Sequence, residues 1–170
     1  GLATFPKPMI AAVEGVAVGV GVTMLLHCDL VFISREAKLR LPFVNLALCP
    51  EAGSSVLLPE RVGATRAAEL LLLGEAFSGE EAVAWGIANR LGEPGRTLVD
   101  AMAAATRIVG QPPAAVRATL ALLRGWRQQE VLDAIAREAE VFRERLSSPE
   151  AVEAFQAFLE KRPPDYSRFA

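Results

Sequence analysis

The sequence predicts an α/β chain in its first half and a helical region in its second. Three observations predict this. Short apolar, partly β-branched runs recur up to about residue 92, each ended by glycine, proline or a polar pair. Between them lie helix signals, including a serine start, a capping box and glycine stops. From about Thr97 onward, helical periodicity takes over. The division gives a core over residues 1–92 and a helical region over 93–170.

The elements follow in order. Met9 to Val18 reads as a buried strand, preceded by Pro6 and Pro8. The stretch from Gly15 to Gly21 reads as a turn where the backbone must approach something closely. Val22 to His27 reads as a short buried helix, Asp29 to Ser34 as the next strand and Lys38 to Leu41 as another. Pro42 ends that run, and Pro42 to Pro50 reads as an irregular loop. A helix starts near Ser54, and Ala64 to Leu73 is a strong helix stopped by Gly74. Ser78 and Glu81 fit a capping box, opening a short helix that ends at Gly86. Ile87 to Leu91 reads as a last strand. Helices are expected over Leu98–Val109, Pro113–Trp126, Val131–Leu146 and Pro149–Glu160, the last with Ser148 as its cap.

Composition narrows the classes of function. Of 170 residues, 52% are hydrophobic and 22% charged, which supports a packed core and argues against disorder. The net charge of -2 gives no electrostatic case for nucleic acid. The longest apolar stretch, Val16 to Leu26, falls far short of the roughly 20 residues that span a bilayer, so no membrane partner is expected. Cys28, Cys49 and the lone His27 match no familiar zinc pattern. Two unpaired cysteines suit a reduced, intracellular setting, here the cytoplasm. The chain opens at Gly1 without Met and enters a core strand within ten residues, so it reads as a fragment or processed chain.

Two segments can carry chemistry. Gly19-Val20-Gly21 lacks the third glycine of a dinucleotide fingerprint, and no P-loop is present. These glycines either permit a tight strand-to-helix turn or present the Val20 N–H to an anion or carbonyl oxygen. The second segment is Cys49-Pro50-Glu51-Ala52-Gly53-Ser54-Ser55. Glu51 is either an acid complementing a helix dipole or a base walled by Phe43, Val44, Leu46, Ala47 and Leu48. His27 reads as a satisfied buried or boundary histidine, and both cysteines as packed thiols. Arg107, Arg117, Arg124 and Arg127 read as a solvated face, and Trp85 and Trp126 as packing residues.

Four separated stretches carry a family resemblance that covers almost the whole chain. The run from Pro8 to Val22, followed by Cys28-Asp29, resembles the crotonase (enoyl-CoA hydratase/isomerase) signature of a glycine-rich turn, a helix and a "CD" pair. Leu71 to Ala82, Ala84 to Asn89 and the tail Ala157 to Pro164 resemble three further family segments. The resemblance implies a crotonase-like ββα spiral with its N-terminal turns missing, followed by a helical oligomerisation region. It implies an acyl-CoA thioester substrate and homotrimers or dimers of trimers. It implies no metal and no redox cofactor, coenzyme A being part of the substrate.

The resemblance also assigns roles. The Val20 N–H takes the position of one oxyanion-hole donor, and the second donor belongs to a loop nearer the N-terminus of full-length members. Family hydratases carry two glutamates, and this chain has Thr23 and Phe43 in their places. The pattern Pro42-Phe43, Pro50-Glu51, Ser54-Ser55 resembles the Δ3,Δ2-enoyl-CoA isomerase branch, in which the glutamate matching Glu51 is the single catalytic acid. Gly19, Thr23, Phe43, Leu46 and Cys49 are expected to line the acyl site. Lys161 falls where some members touch the coenzyme A nucleotide across a subunit boundary. The rival readings are another family reaction such as enoyl-CoA hydration, and a non-catalytic acyl-CoA-binding or assembly module.

Overall fold

The computed structural model describes residues 1–169. Its strands are β1 (Ile10–Val13), β2 (Val16–Val18), β3 (Leu30–Ser34), β4 (Lys38–Arg40), β5 (Ala76–Ser78) and β6 (Arg90–Gly92). Its helices are α1 (Val20–Thr23), α2 (Ser54–Val62), α3 (Ala64–Leu73), α4 (Gly79–Ala84), α5 (Thr97–Val109), α6 (Pro113–Gly125), α7 (Gln128–Leu146) and α8 (Pro149–Leu159). Short 3₁₀ turns add Leu2–Thr4, Met24–His27, Val44–Leu46 and Ser167–Phe169. No helix is long and apolar enough to cross a membrane among the described residues.

The stretch expected as one strand, Met9 to Val18, is two. Gly15 sits at φ 68° and turns the chain, so β1 and β2 enter different sheets. One sheet runs β1-β3-β6, all parallel, with Ala11 opposite Val31 and Ile33 opposite Leu91. The other runs β2-β4-β5, with Ala17 opposite Leu39 in the parallel pair and Leu39 opposite Phe77 in the antiparallel one. Each ββ step therefore climbs from one sheet to the other, the repeat expected of a spiral. The stretch Ile87 to Leu91 shifts likewise: its pairing residues are Arg90 to Gly92, after Ile87 and Ala88 have buried themselves.

The core lies between the sheets and beneath α1 to α4. Val22, Leu26, Ile33, Leu39, Leu41, Leu58, Ala82 and Ile87 are almost wholly buried. Burying a side chain such as Leu or Ile contributes about 1.5–3 kcal/mol. The capping box at Ser78 is present, with Ser78 Oγ accepting from the Glu81 N–H and Glu81 accepting from the Ser78 N–H. Ser148 caps α8, accepting from the Ala151 N–H at 3.1 Å.

The helical region folds back onto the core, and two expectations about it need correction. Arg124 and Arg127 are not a solvated face. Arg124 pairs with Asp29 and donates to the Phe5 carbonyl, while Arg127 pairs with Glu60. Trp126 does not pack within its own chain, being 72% exposed at the end of α6. Trp85 does pack, its ring 5.4 Å from that of Phe77 and under the Arg66 guanidinium.

Candidate active site

The glycine turn and the Glu51 loop meet at one point. Gly19 has φ 54° and ψ -117°, a backbone shape suited to glycine, and its N–H donates to the Arg40 carbonyl at 2.9 Å. That bond extends the β2–β4 ladder by one residue and starts α1 at the sheet's end. The N–H groups of Val20 and Gly21 begin α1 and donate to no acceptor among the described residues. Val20 as a residue is 61% exposed. Phe43 lines the other side of the turn: a methyl built on Gly19 would meet its Cε1 at 3.9 Å. Phe43 itself is buried.

One turn further along α1, Thr23 is fully buried, and its hydroxyl donates to Glu51 Oε1 at 2.5 Å. The same hydroxyl lies 3.5 Å from the Val20 carbonyl. Thr23 thus links the carboxylate to the first turn of the helix that presents the free amides. Glu51 is half-buried, and its Oε2 has no hydrogen-bond partner among the described residues.

The loop around Glu51 is held from several sides. Ser54 Oγ donates to the Glu51 carbonyl at 2.6 Å. His27 Nε2 lies 2.7 Å from the Ala52 carbonyl, and a carbonyl only accepts, so the ring nitrogen donates. Glu138, on α7, accepts from the N–H groups of Gly53 at 2.5 Å and Ser55 at 2.8 Å. Ala52 and Gly53 both have positive φ, at 59° and 76°. The histidine is satisfied at a boundary position, as the sequence suggested, but its partner is the catalytic-loop candidate itself.

The remaining expected residues divide. Leu46 and Cys49 lie half-buried on the same loop, Leu46 closing a 3₁₀ turn. The Cys49 thiol donates to the Glu138 carbonyl at 3.9 Å, and burial pushes its pKa up, so it is no activated thiolate. Lys161 is expected to act across a subunit boundary, and within its own chain it makes no hydrogen bond or ion pair with the Glu51 loop among the described residues. It lies exposed just past α8 at φ 55°, and its neighbour Arg162 is the residue engaged there, pairing with Glu153 and Glu160.

The family profile described as enoyl-CoA hydratase/isomerase matches residues 1–168. The chain belongs to the enoyl-CoA hydratase/isomerase family. A crystal structure of an enoyl-CoA hydratase/isomerase from Pseudoalteromonas atlantica superposes with a TM-score of 0.95 at 38% identity, covering 98% of this chain and 67% of that one. The fold is therefore the crotonase fold. A probable enoyl-CoA hydratase of Bacillus subtilis is 34% identical over 96% of this chain and 64% of its own length. Enoyl-CoA delta isomerase 2 of Rattus norvegicus is 31% identical over 94% of this chain and 41% of its own. The chain thus spans less than two thirds of these curated relatives, among which hydratase names predominate.

Within the enoyl-CoA hydratase/isomerase family frame, sequence reasoning missed Glu138. It lies 87 residues beyond Glu51 and belongs to no local motif. A signal was present nonetheless. Val131, Ile135 and Glu138 share one face of α7, and Val131 and Glu138 are buried, so an acid stands in an apolar stripe.

Proposed function

We propose that this chain carries the single-carboxylate site of a Δ3,Δ2-enoyl-CoA isomerase. The thioester carbonyl oxygen of a 3-enoyl-CoA accepts from the Val20 N–H. Glu51, through its free Oε2, removes a proton from C2. The resulting dienolate places its negative charge on the thioester oxygen. Glu51 returns the proton at C4, and the double bond moves to C2–C3. Removing one oxyanion donor typically costs about 10²–10³ in rate, and general acid–base help supplies about 10²–10⁴. No metal or redox group enters these steps, and coenzyme A comes with the substrate.

The observation that carries this reading is the Thr23–Glu51 contact. At the two positions where family hydratases have glutamates, this chain has a hydroxyl already donated to Glu51 and a buried phenylalanine. A hydratase must hold and activate a water between two acids. The other carboxylate against this loop, Glu138 of α7, is occupied by two main-chain N–H groups. The names of the relatives favour hydration as the second reading. The exposed apolar residues Leu122, Leu123, Trp126 and Phe158 support an interface with another chain, which this reading takes to be that of a homotrimer or dimer of trimers. The reading takes the setting to be cytoplasmic, where free thiols such as Cys28 and Cys49 persist.

The test supplies 3-enoyl-CoA and, separately, 2-enoyl-CoA to full-length protein and to Glu51→Gln. Formation of the conjugated thioester by wild type, reduced at least about 10²-fold in E51Q, supports the isomerase. Equal rates in both proteins discard Glu51 as the base. Hydration of 2-enoyl-CoA without isomerisation assigns the second reading. Binding without turnover of either substrate leaves an acyl-CoA-binding module.

A further inference from the structure

We propose that Glu138 is a positioning residue of the active site, through which α7 fixes the Glu51 carboxylate for proton transfer. The inference rests on the reading of Glu51 as the base.

The segment Glu51-Ala52-Gly53 is a poor candidate to hold its own shape. Two successive residues are left-handed, and one of them, Ala52, has a Cβ that disfavours this region. Such a backbone persists only when its surroundings over-determine it. His27 holds the Ala52 carbonyl from one side, and α7 holds the residues that follow from the other. A methyl built on Gly53 would come within 3.2 Å of Val131 Cγ1 and 3.3 Å of Ile135 Cγ1, so the loop lies directly against that helix. Glu138 then takes both neighbouring main-chain donors, one on each carboxylate oxygen: Gly53 N–H to Oε2 and Ser55 N–H to Oε1. These are charge-assisted bonds to a buried carboxylate at the start of α2. Residues that flank the base by two and four positions are thereby pinned to an element that otherwise belongs to the helical region.

The chemistry explains why this matters. One carboxylate must reach two carbons in succession, and a misplacement of about 1 Å can cost on the order of 10²-fold in rate. Glutamine at position 138 offers one oxygen to two N–H groups and turns a donor toward the other. The side chain would keep its size while the loop loses half its anchor.

The experiment uses full-length protein and compares wild type, E138Q, E51Q and E138Q/E51Q. Backbone amide hydrogen exchange reads the loop, and steady-state turnover of 3-enoyl-CoA reads the site. In wild type, the Gly53 and Ser55 amides should be protected like those of β3. In E138Q they should exchange at least tenfold faster with β3 unchanged, kcat should fall about 10–100-fold and KM should stay within about threefold. The double variant should be no slower than E51Q, because Glu138 acts only through Glu51. Unprotected Gly53 and Ser55 amides in wild type overturn the proposal even if E138Q does not fold. Unchanged loop exchange, unchanged kcat, or faster exchange across β3 as well in E138Q also overturns it. If E51Q turns over as fast as wild type, or wild type does not isomerise, the reading of Glu51 fails separately. The positioning claim is then decided by amide exchange alone.

Discussion

Replacing Thr23 by valine removes a hydroxyl and leaves the shape of the side chain. The hydroxyl has one proton, and it goes to Glu51 Oε1 at 2.5 Å; the 3.5 Å contact to the Val20 carbonyl is at most a weak bond. A hydrogen bond to a charged group contributes about 1.5–3 kcal/mol. If all of it holds the proposed base in place, its loss corresponds to roughly a 10- to 150-fold fall in kcat, at 1.36 kcal/mol per tenfold. Folding should respond differently. Thr23 is fully buried, and valine puts a methyl where the hydroxyl was, so little apolar packing is lost. Serine does the reverse: it keeps the hydroxyl and leaves a cavity the size of one methyl, costing about 1 kcal/mol. Both variants should melt below wild type, T23V through the lost hydrogen bond and T23S through the cavity, but T23V should be slow and T23S fast. Turnover of 3-enoyl-CoA, normalised to folded protein, and thermal melting measure the two effects. T23V turning over at the wild-type rate would refute the reasoning.

Two further outcomes test the frame around the site. At Gly79, the first residue of α4, a methyl would stand 2.2 Å from the Ser34 carbonyl oxygen, and the Gly79 N–H bonds the Ala37 carbonyl at 3.0 Å. G79A should therefore lose about 2–4 kcal/mol in denaturant unfolding, whereas G125A, which meets open space, should not lose stability. Glu153 on α8, 4% exposed, has its pKa lowered from 4.5 to about 2, first by the Arg162 guanidinium and then by the Asp165 N–H. The folded state holds the proton less tightly than the unfolded one, so this contribution is fully present above about pH 4.5 and is lost as pH falls toward 2. Wild type should melt above E153Q near neutral pH, with the gap closing in acid; a gap that stays constant down to pH 2 contradicts the pairing.

The parts of the fold legible in the sequence were those with local causes. The Ser78 capping box, the Ser148 cap and the glycine stop after Leu73 each depend on residues within a turn, and each stands in the structure. The single strand expected from Met9 to Val18 failed because an apolar run does not say which sheet it joins. Gly15 was visible, but only the pairing of β1 with β3 and of β2 with β4 shows the chain changing sheets there. Strand β5 escaped notice because three residues are too few for a period of two to register. At the site, residues clustered in sequence were found together, from Gly19 to Thr23 and from Phe43 to Glu51. Arg124, reaching Asp29 across 95 residues, and Glu138, reaching Gly53 across 85, were not, because nothing local ties such partners.

The arrangement around Glu51 has a consequence for which reaction its carboxylate suits. Three polar side chains around the loop are committed to its main chain. Ser54 serves the Glu51 carbonyl, His27 the Ala52 carbonyl, and Glu138 the Gly53 and Ser55 amides. Thr23 gives its only proton to Oε1, leaving Oε2 as the one oxygen of the pair without a protein partner among the described residues. A hydration site needs a second group able to take up or release a proton while the first acts on water. A threonine hydroxyl does not titrate in this range, and its proton is already donated. A double-bond shift asks for less: one oxygen that accepts a proton, keeps it out of water and gives it back nearby. In the proposed reaction, buried Phe43 beside Gly19 would serve as an apolar wall for that interval. A carboxylate anchored by one oxygen and free at the other is a better match to a proton that leaves and returns than to one handed through water.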